Sequence, residues 1–120
     1  MKIVTMYIKN ENDKAEMIHK SGEYAHEYIY FPNSYEADLV INTYDDWEVE
    51  LDEEEVEFLI EEVGEFRAYS ITWKLDISLY EYVIGLSNKL DFILDNDKGN
   101  VISNKEIAVI SFNEFLNWVS

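Results

Sequence analysis

The chain has 120 residues, 48% hydrophobic and 15% aromatic, and a formal net charge of −17. That length suits one domain with a sizeable core, and nine Tyr, six Phe and three Trp exclude a disordered acidic tail. The charge excludes direct binding to nucleic acid or an anionic membrane surface, which needs Lys and Arg, and the absence of Cys excludes disulfides, thiolate catalysis and cysteine metal sites.

In chain order, residues 2–9 read as a strand with apolar side chains on both faces, hence central in a sheet. Residues 12–20 predict a short helix, with Ala15, Met17 and Ile18 weakly periodic. Residues 24–31 and 36–43 flank the turn composition Phe31-Pro32-Asn33-Ser34 and predict a hairpin. Asp52 to Val63 is the clearest helix: Asp52 is a good N-cap, Glu55 stands at the capping-box position and Gly64 follows the last turn. Val56, Leu59, Ile60 and Val63 recur at helical spacing as its buried stripe. Phe66 to Ile77 predicts a strand, with Tyr69, Ile71, Trp73, Leu75 and Ile77 on one face and Ala68, Ser70 and Thr72 on the other. Residues 79–88 read as helical. Leu90 to Leu94 and Val101 to Ile110 read as strands around the turn Asp95 to Asn100, and Ser111, with Glu114 three residues on, caps a final short helix. Strands outnumber helices and interleave with them irregularly. The expected fold is a single α+β domain over residues 1–120, with a mostly antiparallel sheet and two to four helices.

One block dominates the charge. Between Asp45 and Glu65 the acids are Asp45, Asp46, Glu48, Glu50, Asp52, Glu53, Glu54, Glu55, Glu57, Glu61, Glu62 and Glu65, with no Lys or Arg among them. Such crowding of like charge destabilises a fold by self-repulsion, so a basic partner is the expected compensation. A merely solvated helix usually intersperses Lys for pairs one turn apart, and this one does not. At about 100° per residue, Phe58 falls roughly opposite the apolar stripe, among Glu54, Glu55, Glu61 and Glu62. Trp47 sits similarly beside Asp46 and Glu48. An aromatic ring surrounded by charge is the pattern of an interface anchor. The candidate partner-binding residues are therefore Asp45, Asp46, Trp47, Glu48, Glu50, Glu54, Glu57, Phe58 and Glu61. A second, thinner acidic group is Asp91, Asp95 and Asp97.

Other chemistry finds little support. The segment Asp95 to Glu106 has acids at positions 1, 3 and 12 of a calcium loop, but its glycine, Gly99, falls at position 5, and the sharp turn requires position 6. His19 and His26 lack a third ligand at metal spacing. Phosphate-binding glycine loops, nucleophile elbows and zinc-protease motifs are absent, so neither enzymatic activity nor a cofactor or metal is expected. The amino terminus lacks a signal-peptide apolar core and no apolar run reaches membrane-span length, so a cytoplasmic location is expected.

The segment Leu51 to Gly64 and the terminal Phe115-Leu116-Asn117-Trp118-Val119 resemble the immunity proteins of bacterial toxin–immunity systems, including contact-dependent growth inhibition. The resemblance implies a small cytosolic antitoxin that binds and neutralises a basic toxin domain, often a nuclease. No residue role transfers with it. A competing expectation is a nucleic-acid mimic that inhibits a restriction or CRISPR nuclease, whose acids should be spread at phosphate-like spacing. The oligomeric state is left open.

Overall fold

Seven segments pair into one sheet in the computed structural model, which describes residues 2–9, 23–25, 28–32, 37–44 and 46–120. The strands are β1 (Ile3–Lys9), β2 (Glu23–Ala25), β3 (Tyr28–Pro32), β4 (Ala37–Thr43), β5 (Phe66–Trp73), β6 (Phe92–Asp95) and β7 (Val101–Ser103). The helices among the described residues are α1 (Trp47–Glu50), α2 (Glu53–Val63), α3 (Asp76–Ser87), α4 (Asn104–Ile107) and α5 (Phe112–Val119). The sheet order is β2-β3-β4-β5-β1-β6-β7, and every described pairing is antiparallel. This is the expected α+β architecture with an antiparallel sheet, and the described residues hold five helices where two to four were expected, two of them single turns of four residues. The expected helix at 12–20, both histidines, Asn33 and Ser34 of the proline turn, and Asp45 lie outside the described residues.

Strand β1 is central because its side chains are apolar in both directions. Val4, Met6 and Ile8 enter the larger core, while Tyr7 enters a smaller cluster on the opposite face. Register carries this division across the sheet. Met6 pairs with Tyr69 and Leu94, and Tyr7 pairs with Ala68 and Ile93. The larger core collects Leu39, Ile41, Ile71 and Phe92 from the sheet, and Leu79, Val83, Leu86, Ile107 and Phe115 from α3, α4 and α5. Tyr80 fastens α3 to α5: its ring lies 5.2 Å from that of Phe112 and 5.4 Å from that of Phe115, and its hydroxyl donates to the Ile110 carbonyl at 2.8 Å.

Three expected elements are corrected. The segment 24–31 is divided: β2 and β3 pair with each other antiparallel, and β3 forms the expected hairpin with β4. The strand expected to run to Ile77 ends at Trp73, and α3 starts at Asp76 rather than at 79. Asp76 decides that boundary, because its carboxylate accepts the Trp73 indole N–H at 2.8 Å and the Lys2 ammonium at 3.0 Å. Leu75 and Ile77 consequently fall on the surface, 56% and 41% exposed. The strand expected over 101–110 stops at Ser103, whose side chain caps α4 in a reciprocal box with Glu106. The next residue, Asn104, is buried. It donates to the Ser87 carbonyl at 3.1 Å and accepts the Phe92 amide at 3.2 Å, tying α3 and β6 together where an extended chain would have continued. The caps of α2 and α5 form as the sequence predicts, Asp52 with Glu55 and Ser111 with Glu114.

Candidate partner-binding groove

The acidic block folds into α1 and α2, laid over the centre of the sheet on the face opposite the larger core. Aromatic packing holds α1 there. The Trp47 ring lies 4.8 Å from that of Phe66, and Phe66 meets Tyr7 edge to face at 5.6 Å. Trp47 is thus half-buried and partly engaged within the molecule. Tyr44 donates its hydroxyl hydrogen bond to Glu50. Leu51 and Asp52 connect the two helices, with Leu51 half-buried.

Helix α2 meets the sheet through Leu59 and Val63, 3% and 4% exposed. Ile60, expected in the buried stripe, is 52% exposed. The stripe therefore centres closer to Leu59, which moves Phe58 from the far side of the helix to its flank. Phe58 is 39% exposed and forms one wall of a groove. Asp46, Glu48, Glu50, Glu54, Glu57 and Glu61 are all exposed. Among these expected partner-binding residues the groove gathers Glu54 and Phe58; Asp46, Trp47, Glu48, Glu50, Glu57 and Glu61 do not line it.

The groove encloses about 350 Å³ between α2 and the β6–β7 hairpin. Leu51, Phe58, Leu59 and Val101 give it an apolar lining, Tyr7 closes it, and Asp52, Glu54, Glu55 and Asp95 are its carboxylates. Among the described residues no Lys or Arg lines it. Two acidic groups distant in sequence thereby meet, the Asp45–Glu65 block and the hairpin acids. Their fields overlap at Tyr7. Burial, then Asp95, Asp97, Glu55 and Glu50, push the Tyr7 phenol above its usual range. Burial, then Asp95, raise the Asp97 carboxyl, against a lowering hydrogen bond from Thr5, with Glu50 adding to the rise. Asp76 is shifted the other way by the Trp73 N–H and by Lys2.

Tyr7, Leu51, Asp95 and Val101 escaped the sequence reading as site residues. One signal was available for Tyr7: it is the only aromatic in an otherwise aliphatic and Thr-containing strand. Asp95 stands out in the sequence only as one of the thinner acidic group, and its approach to the block depends on the β1–β6 pairing.

The hairpin from Asp95 to Asn100 is organised by its own side chains. Asp95 accepts the Asp97 amide at 2.8 Å. Buried Asn96 accepts the Lys98 and Asn100 amides at 2.9 and 3.2 Å and donates to the Trp118 carbonyl at 2.8 Å. Asp97 and Gly99 take positive φ, 61° and 89°. Glu106, the last position of the broken calcium frame, is engaged in the α4 cap. Among the described residues no three His, Asp or Glu side chains are grouped to hold a metal ion, and no helix is long and apolar enough to cross a membrane.

No family model, curated protein or solved structure matches this chain.

Proposed function

We propose that this chain is an immunity protein, a non-enzymatic inhibitor that binds a basic toxin domain of the nuclease type through the α1–α2 face. One observation carries the reading. The exposed carboxylates of α1 and α2 have no ion-pair partner among the described residues, and two of them, Glu54 and Glu55, border a groove with an apolar lining. A nuclease presents Lys and Arg arranged for phosphates, the complementary surface. Charge of this density steers encounter, raising association toward about 10⁸–10⁹ M⁻¹s⁻¹ at low salt. Contacts of Phe58 and the groove lining then slow dissociation.

The acids are concentrated in one block, mostly on α1 and α2, which favours docking of a protein over imitation of an extended nucleic-acid backbone. The test is capture of the toxin domain encoded beside this gene, with protection of cells from its toxicity. The double charge reversal Glu54→Lys and Glu61→Lys should slow association by about tenfold or more at low salt, with the difference shrinking as salt rises. Unchanged affinity and protection in that variant would place the interface elsewhere. Capture of a restriction or CRISPR nuclease alone would replace this reading with mimicry.

A further inference from the structure

We propose that the groove between α2 and the β6–β7 hairpin receives one arginine side chain of the protein partner. This rests on the reading of a basic protein partner and names the group that the site recognises.

The first argument is Tyr7. It is 4% exposed, it lines the groove, and its hydroxyl has no hydrogen-bond partner among the described residues. That hydroxyl is not sealed off but opens to the groove, so a donor that enters there can reach it. The carboxylates whose fields reach that hydroxyl, Asp95, Asp97, Glu55 and Glu50, make an incoming anion unfavourable and a cation favourable.

The second argument is the state of the groove's own carboxylates. Asp52, Glu54, Glu55 and Asp95 take part in no ion pair among the described residues. Asp52 and Glu55 each commit one oxygen to the α2 cap, and Asp95 commits one to the hairpin. The second oxygen of each stays available to a donor.

The third argument is shape. About 350 Å³ is at the small end of ligand pockets, which run from roughly 300 to 1,000 Å³, so it fits a side chain and not a helix. Leu51, Leu59 and Val101 suit a methylene stem, and the Phe58 ring offers a face for a planar cation. Guanidinium is weakly hydrated and spreads five donors in a plane, so it can reach Tyr7 and carboxylates on opposite walls together. An ammonium is a compact, strongly hydrated point charge that satisfies fewer of these at once.

The test needs no partner. N-acetyl-arginine methylamide is titrated into the isolated chain and followed by the NMR signals of the Tyr7 and Phe58 rings. Saturable shifts at both rings are expected, with millimolar affinity. The capped citrulline analogue, equal in shape but uncharged, should bind about tenfold more weakly. Tyr7→Phe removes only an unbonded hydroxyl, and it and Glu54→Gln should each weaken binding several-fold while leaving the backbone spectrum intact. Absence of saturable shifts would overturn the assignment, as would equal binding of citrulline, tighter binding of capped lysine, or shifts confined to the outer face at Glu57 and Glu61. A toxin domain captured by a chain whose groove refuses arginine would retain the inhibitor reading and remove only this one.

Discussion

Among the described residues, α3, α4 and α5 cover a continuous core of seventeen buried residues on one face of the sheet; on the other, α1 and α2 cover five and leave their acids outside. The first face holds Phe92, Leu79, Val83, Leu86 and Phe115 at no exposure. The second holds a phenol, an apolar groove and carboxylates that lack a basic ion-pair partner among the described residues. The larger core provides the stability against which the smaller face can concentrate like charge. Self-repulsion is tolerable on a helix that contributes little to the main core, and it is relieved when a basic surface docks.

The largest expected effect tests the division directly. Phe115→Ala should cost about 3–5 kcal/mol, as large-to-small changes at sealed core positions do. Phe58→Ala, at a position 39% exposed, should cost under about 1 kcal/mol yet weaken partner capture. Urea midpoints at unchanged slope give the stabilities. Equal losses would mean that α2 belongs to the main core after all.

The two faces carry the same capping motif in different electrostatic surroundings, and this gives a finer comparison. Ser111→Ala on α5 should cost about 1 kcal/mol at any salt concentration. Asp52→Ala on α2 removes a cap and also a repelling charge, so its cost should be smaller than the Ser111 value at low salt. The gap should close as salt rises. A gap insensitive to salt would show that the acids of α2 do not strain the fold.

The smallest effect appears at alkaline pH. Tyr7 has its phenol pKa raised on folding, so above the ordinary phenol value the folded chain keeps a proton that the unfolded chain has lost. Its contribution is complete below about pH 10 and is lost as pH rises from there toward the folded value. Urea midpoints from about pH 9 to about pH 11 should therefore fall more steeply for the parent chain than for Tyr7→Phe. Parallel curves would remove Tyr7 from the acidic field.

The elements that the sequence announces most clearly are those governed by neighbours in the chain. The α2 cap, the Gly64 stop and the Ser111 cap are made by residues three or four apart, so local chemistry settles them. The apolar residues on both faces of β1 likewise announce a central strand. Segment ends were less legible. The Trp73–Asp76 and Ser103–Glu106 contacts are also local, but the alternating patterns around them, Leu75 and Ile77 in one case and Ile107 to Ile110 in the other, continue past the true boundaries.

By itself the sequence determined an α+β chain, a capped acidic helix without basic counterparts and an aromatic within it. Only the tertiary structure decided where that aromatic points. Burial selected Leu59 and Val63 over Ile60, which turned Phe58 toward the sheet. Antiparallel pairing of β1 with β6 brought Tyr7 and Asp95, 88 positions apart, to one groove beside α2. Helical spacing fixes which residues share a side of a helix, whereas contacts across a sheet depend on which strands pair and in what register, and that is chosen by the whole core.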